Sequence, residues 1–321
     1  MEDRWTGLRH GERPYREAAP FYAEYRYKPS EEFARLLATH LCWSDDDRVL
    51  DLGAGPAHVS LLLTPYVGEV VAMEPEEAML GEGRKRAAAA GVENLSFVVG
   101  GSDDLPRLKS SIGEVAAVVI SQAFHWMRDQ DSVLRNLSEI VDRRRGAVAL
   151  IGYVNTPDHN RVAVGLDREP WSKAETILRR HLEGVPEGPS PRGRHDPFPY
   201  ILERSPFPRV ELLSYEHEVD VRPSIETAIG TLYTLGNTLD RLGDKRAAFE
   251  AEVHEALGDA DTTPFRARLF DSALIGRRTS SAHFELTVGQ VSKADQRGPS
   301  FHPCERKPPG ACSDFSFSSK R

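Results

Sequence analysis

The sequence predicts an α/β fold: a doubly wound, mostly parallel sheet of seven strands with a helical lid or insertion late in the chain. Three observations carry this. Apolar strand-like runs alternate with helical patterns between residues 47 and 153. The run at 115–121 is almost continuously apolar, as a strand buried on both faces requires. Residues 49–60, VLDLGAGPAHVS, pass from a buried strand through Gly53-Ala54-Gly55 into a helix start.

The elements follow in order. Residues 15–27 form an aromatic-rich arm or helix. Ser30 caps a helix that runs to Leu41, with Glu31 and Glu32 in its first turn, where the helix dipole favours negative charge. Phe33 occupies the place where a reciprocal capping bond would need Glu or Gln. Strands are expected at 47–52, 69–73, 95–99, 115–121 and 146–153, and helices at 57–64, 76–90 and 130–141. Gly91 ends the second of these helices. Beyond residue 154 prolines and glycines multiply, which predicts an insertion over 155–208, helical near 171–183 and carrying a mobile loop. A strand at 209–219, helices at 223–235 and 244–257 and a last strand at 264–278 complete the domain. Residues 279–321 lose periodicity and gain Ser, Pro, Lys and Arg, so they read as a polar tail, mostly disordered. The chain is thus one domain over 1–278, with 155–208 and 223–257 as lid or substrate elements.

The glycine turn defines the chemistry. Without a Cβ, Gly53 and Gly55 let the backbone reach φ > 0 and approach a ligand closely. The helix start that follows offers unpaired N–H groups. The second strand ends in Glu74, where a carboxylate can accept hydrogen bonds from a ribose diol. These features describe a nucleoside-binding domain. His58 stands where a dinucleotide fingerprint wants its third glycine, which argues against a pyrophosphate.

The run Asp51-Leu52-Gly53-Ala54-Gly55-Pro56-Ala57 resembles the first motif of class I S-adenosylmethionine (SAM) dependent methyltransferases, with Ala57 in place of the third glycine. Further segments resemble the trans-aconitate and ubiquinone-pathway groups of that family, in the right order. They are Phe21-Tyr22-Ala23-Glu24-Tyr25-Arg26, Met73-Glu74-Pro75-Glu76-Glu77-Ala78-Met79-Leu80, Ser102-Asp103-Asp104-Leu105-Pro106 and Ser121-Gln122-Ala123-Phe124-His125-Trp126-Met127. The resemblance covers roughly 15–278. It implies a Rossmann-like fold, SAM as cofactor, and transfer of its methyl group to a carbon, nitrogen or oxygen of a small molecule. It leaves two alternatives open: a related fold with other chemistry, such as aminopropyl transfer or cyclisation, and a non-catalytic SAM-binding partner.

The resemblance also assigns roles. Gly53 and Gly55 pass under the methionine part of SAM. Asp51 anchors the loop or, through water, the ligand's amino group. Glu74 holds the ribose, with Pro75 and Met79 beside it. Relatives place an acid directly after the glycine of the third segment; here that residue is Gly101, so Asp103 and the backbone of Ser102 are the candidates for adenine contacts. Tyr22 and Arg26, on an arm that also carries Tyr15, Tyr25 and Tyr27, are expected at the methionine carboxylate or the acceptor, and Gln122 at the cofactor. His125 follows the fourth strand and is either a general base or a wall of the pocket. His58 is expected to cap or pack. Trp171, Tyr200, Tyr215 and Tyr233 are candidate substrate walls.

Composition bounds the rest. The chain has 321 residues, 40% of them hydrophobic, and a formal net charge of −8. Such an acidic chain is a poor general binder of nucleic acid or anionic membrane, although a local basic patch for tRNA is not excluded. No apolar run is long enough for a membrane span, and the charged N-terminus lacks the apolar centre of a signal peptide. Cys42 is expected in the core, whereas Cys304 and Cys312 lie in the tail without zinc-site spacing. The expectation is a cytoplasmic, reduced, metal-free enzyme of undetermined oligomeric state.

Overall fold

The computed structural model describes residues 15–152, 170–186, 196–235, 237–258, 263–278 and 289–291. Five parallel strands build one half of the sheet: β1 (Arg48–Leu52), β2 (Glu69–Glu74), β3 (Leu95–Val99), β4 (Ala117–Ser121) and β5 (Ala147–Ile151). Two long strands, β6 (Arg209–Val221) and β7 (Phe265–Arg277), complete the seven expected. A short eighth strand, β8 (Gly289–Val291), joins the edge in parallel to β6. The order is β3-β2-β1-β4-β5-β7-β6-β8, with β7 antiparallel to both neighbours.

This order reverses direction between β1 and β4. In open α/β sheets the crevice at such a switch point, outside the carboxyl ends of the strands, is where ligands bind. The glycine turn leaves β1 and the His125 segment leaves β4, so the topology alone brings these two stretches to the crevice. The central strands are packed on both faces, and Val49, Leu50, Val118, Val119 and Ile120 are fully buried.

Helices fill both faces. On one lie α2 (Glu31–His40) and α3 (His58–Leu63), whose Phe33, Leu37 and Leu63 pack on Val49, Val70 and Val119. On the other lie α5 (Leu105–Ile112), α6 (Gln130–Ile140) and α8 (Phe198–Glu203), which cover Leu50, Val118 and Ile120. Helix α4 (Glu77–Ala90) follows β2. A third core sits apart from the sheet. There α7 (Trp171–His181), α9 (Ile225–Tyr233), α10 (Thr238–Leu242) and α11 (Arg246–Leu257) enclose Trp171, Leu232, Tyr233 and Phe249, and Ala18 and Phe21 of the N-terminal arm join them. The arm itself forms α1 (Ala19–Tyr25).

Ser30 caps α2 as expected, its Oγ accepting from the Phe33 N–H at 3.2 Å. Helix α5 was missed: Leu105, Leu108 and Ile112 keep a helical apolar spacing, and Leu105 and Ile112 are buried. Cys42 is a correction. It is exposed, at φ 53°, and its N–H bonds the Thr39 carbonyl. Helix α2 ends at His40, so Cys42 occupies the left-handed turn that stops the helix rather than its apolar face. The tail expected over 279–321 contributes Gly289–Val291 to the sheet; its other residues, like the mobile loop expected in the insertion, lie outside the described ones.

The third core meets the arm closely, and at one point only a glycine fits. A Cβ built at Gly230 of α9 would lie 2.3 Å from the Tyr25 ring of α1. Gly230→Val should therefore push α1 off α9 and lower stability by about 2 kcal/mol, the scale of an overpacked core. Thermal unfolding checks this, and an unchanged melting temperature would mean that α1 docks elsewhere.

Candidate active site

The glycine turn is built from three left-handed residues. Gly53, Gly55 and Ala57 have φ of 77°, 55° and 58°. The N–H groups of Gly53 and Ala54 both bond the Met73 carbonyl of β2, at 2.8 and 3.1 Å. Ala57 takes this conformation with a Cβ, at a cost of about 1–2 kcal/mol. Its Cβ fits because α4 presents Gly83, where an added Cβ would come within 3.0 Å. Gly53 is constrained twice. Besides its φ, an added Cβ would lie 2.4 Å from the Cβ of Ala123. The obstacle is thus the loop after β4 rather than the ligand's path alone, and this contact seats the His125 segment directly on the turn.

Glu74 closes the turn from the other side. Its Oε2 accepts from the Gly55 N–H at 3.0 Å and its Oε1 from the Glu76 N–H at 3.1 Å. Each oxygen keeps a lone pair, so the carboxylate is oriented yet still able to accept from two adjacent hydroxyls. Burial pushes its carboxyl up to about 7, against the pull of those two N–H groups, with Asp51 adding repulsion.

Asp51 lies under the turn, fully buried. Its Oδ2 accepts from Ser60 Oγ at 2.6 Å, whereas Oδ1 is buried with no hydrogen-bond partner. Burial raises its carboxyl to about 6, the Ser60 bonds opposing. An orphaned, buried carboxylate oxygen beside a strained turn suits a ligand that brings a cation or a bridging water. The cradle therefore fits the sulfonium nucleoside that the sequence motifs imply: glycines where a Cβ would intrude, a carboxylate with free acceptor capacity, and an acid with an open donor-seeking oxygen.

The arm lies over this cradle. Tyr22 Cε1 is 4.0 Å from the Cβ position of Gly55. The Tyr22 ring stacks on His58 with centroids 6.4 Å apart, and the Arg26 guanidinium sits 5.3 Å from the Tyr22 centroid. Tyr15 meets Tyr22 and Trp126 edge to face, at 6.0 and 5.9 Å. Burial raises the Tyr15 phenol, and Glu74 is among the charges it feels, which places it at the strand end. His58 packs, as expected. Its Nε2 lies 3.0 Å from the Ala23 carbonyl, and burial, with Lys28 adding repulsion, lowers its pKa to about 3. It is neutral at physiological pH, so Nε2 carries the proton and donates.

Other candidates separate. His125 is half-buried in the turn Phe124–Trp126, its ring 5.7 Å from that of Trp126. Gln122 has φ 52°, and its side-chain N–H donates to the Gly152 carbonyl at 2.7 Å, tying β4 to β5. Pro75 lies 3.7 Å from the Cβ position of Gly101, so the loops after β2 and β3 adjoin. There Ser102 is half-buried and Asp103 exposed, while Asp104 accepts from the Gly101 N–H at 2.9 Å. Met79 is buried in α4. Among the substrate-wall candidates, Trp171 and Tyr233 are buried in the lid core, Tyr215 stacks on His217 and Tyr200 is 62% exposed. Ala123, Gly83 and Ser60 were missed; they signal nothing in sequence because their part is played only in contact. Among the described residues no group of His, Cys, Asp and Glu could hold a metal ion, and no helix is long and apolar enough to cross a membrane.

Comparisons with known proteins point to methyltransferases. Residues 49–143 match the family model described as a methyltransferase domain. That span holds the glycine turn, Glu74 and His125, and the match is to the same kind of domain that the motifs resemble. The chain is 26% identical over 148 residues to the uncharacterized methyltransferase YcgJ of Bacillus subtilis, covering 46% of this chain and 56% of that one. It is 27% identical over 146 residues to trans-aconitate 2-methyltransferase of Mycobacterium tuberculosis, covering 44% and 52%. The chain thus spans about half the length of these curated relatives. The solved structure of YcgJ aligns over 78% of this chain and 100% of its own, at 17% identity and a TM-score of 0.45.

The raised Glu74 carboxyl has a stability consequence. A folded-state pKa near 7, against an ordinary 4.5, favours the folded chain below about pH 4.5, and that contribution is lost as pH rises through 7. Glu74→Gln removes the charge. The amide also loses an acceptor toward one of the two N–H groups at every pH, so the reading is the difference: the substitution should be more favourable to the ligand-free melting temperature at pH 8 than at pH 5 by several degrees. Equal effects at both pH values would show that Glu74 is ionised throughout.

Proposed function

We propose that the chain binds SAM at the carboxyl edge of the sheet and transfers its methyl group to a small-molecule acceptor. The observation that carries this reading is the Glu74 carboxylate, fixed by the Gly55 N–H at the switch point of the sheet and roofed by Tyr15, Tyr22 and Arg26. When bound, SAM supplies an electrophilic sulfonium methyl group. Glu74 would hold the ribose, Asp51 would face the amino end through its open Oδ1, and Arg26 would face the carboxylate.

The protein's own task is then alignment and exclusion of water. The rings of Tyr15, Tyr22 and Trp126 supply an apolar wall at that edge. A small molecule is favoured as acceptor because the aromatic arm covers the glycine turn, and because trans-aconitate 2-methyltransferase is among the relatives. His125, neutral, would take the proton of a hydroxyl, amine or acidic carbon as the new bond forms.

Calorimetry should give S-adenosylhomocysteine a Kd in the micromolar range, about −8 kcal/mol, and no binding for NAD; the reverse pattern would sink the reading. Label transfer from SAM into a metabolite pool then separates a methyltransferase from a cyclase, an aminopropyl transferase or a non-catalytic binder. With the acceptor in hand, His125→Ala should cut turnover by about 10²–10⁴-fold while S-adenosylhomocysteine affinity stays nearly constant. Weaker cofactor binding with only modestly slower turnover would make His125 a wall.

A further inference from the structure

The arm that roofs the cradle is held at its base by a buried polar cluster that belongs to none of the motifs. Asp271, on β7, is 4% exposed in an otherwise apolar stretch. Its Oδ1 accepts from the Tyr27 hydroxyl at 2.5 Å. Its Oδ2 accepts from the Ser30 N–H at 2.9 Å and from Ser30 Oγ at 2.7 Å. His217 Nε2, on β6, lies 3.0 Å from the same Oδ2 and 3.3 Å from the Tyr27 oxygen. The phenol proton is committed to Asp271, so its oxygen is left to accept. Both partners of His217 Nε2 are therefore acceptors, and Nε2 carries the proton. Burial and the neighbouring Asp271 charge raise the Tyr27 pKa, so the phenol stays protonated.

The cluster is placed where it can matter. Tyr215 pairs with Asp271 across the β6–β7 ladder, and His217, two residues on, shares its face and stacks on it at 5.6 Å. Ser272, next to Asp271, accepts from the Gly152 N–H at the carboxyl end of β5, so the cluster adjoins the edge that carries the cradle. Tyr27 follows Arg26, the last turn of α1, and Ser30 is the cap of α2. The hinge between arm and domain thus runs through one carboxylate. A buried acid gathering four donors from the α1–α2 connection and β6 is far more than a helix cap needs; Ser30 Oγ supplies the cap bond by itself.

We infer that Asp271, with Tyr27 and His217, is a positioning residue for cofactor binding: it fixes the α1–α2 hinge and so holds Tyr22 and Arg26 over the glycine turn. This rests on the reading of the cradle as a SAM site. The test uses the full chain with Asp271→Asn and Tyr27→Phe; the second keeps the ring and its packing and serves if the first fails to fold. Three readouts are taken: S-adenosylhomocysteine affinity by calorimetry, melting temperature, and tryptic cleavage of the Arg26–Tyr27 bond followed by mass spectrometry. The expected result is affinity weaker by about ten-fold or more, the scale of a hydrogen bond to a charged group. Cleavage at Arg26–Tyr27 should quicken and saturating S-adenosylhomocysteine should restore protection; some loss of melting temperature is expected of either variant, because each breaks a buried hydrogen-bond cluster. Unchanged affinity, whatever the melting temperature does, overturns the inference and leaves the cluster a structural staple. If the unmodified protein binds no S-adenosylhomocysteine, the cofactor reading fails instead. The cleavage readout then decides alone whether the cluster clamps the arm.

Discussion

The site depends on one stretch of backbone, Gly53 to Ala57, bent into the left-handed region at alternate residues and pinned to the end of β2. Two N–H groups are held by the Met73 carbonyl and a third by the Glu74 side chain. Everything around the cradle answers to that path. Gly53 lacks a side chain because Ala123 lies against it, Gly83 leaves room for the Cβ of Ala57, and Tyr22 covers Gly55. The backbone is shaped before any ligand arrives, so little ordering remains to oppose binding.

The same arrangement is costly. Asp51 is fully buried and Glu74 half-buried at neighbouring strand ends, and burial raises their carboxyls to about 6 and about 7. A fold selected only for stability would replace them with apolar or amide side chains. Two acids with raised carboxyls beside a glycine turn mark a candidate ligand site, where stability would be traded for ligand chemistry. The orphan Oδ1 of Asp51 is the local form of this trade: the folded chain leaves that oxygen unsatisfied.

Much of this was legible in the sequence because local pattern and tertiary role coincide there. A strand that must be buried on both faces is apolar throughout, a left-handed turn asks for glycine, and an acid at a strand end is conspicuous. Strand boundaries accordingly fell within a few residues of their observed places. What escaped depends on partners distant in the chain. Ala57 looks like a harmless substitution until its φ of 58° and Gly83 are seen together. Cys42 looked apolar, but the helix stops two residues earlier. Asp271 offered a signal, a lone acid inside an apolar strand, yet its meaning needs Tyr27 and Ser30, over 240 residues away. Asp103, weighed as an adenine contact or an exposed loop acid, is exposed, and its neighbour Asp104 accepts from the Gly101 N–H.

If Glu74 holds the ribose as a carboxylate, a carboxyl raised to about 7 must lose its proton as the ligand binds. Calorimetry of S-adenosylhomocysteine at pH 7, repeated in two buffers of different ionisation enthalpy, counts the protons exchanged on binding. With a carboxyl near 7, release on the order of half a proton is predicted, with affinity rising between pH 6 and 8 and both effects absent in Glu74→Gln. Binding with no proton release and the same affinity at both pH values would contradict the account.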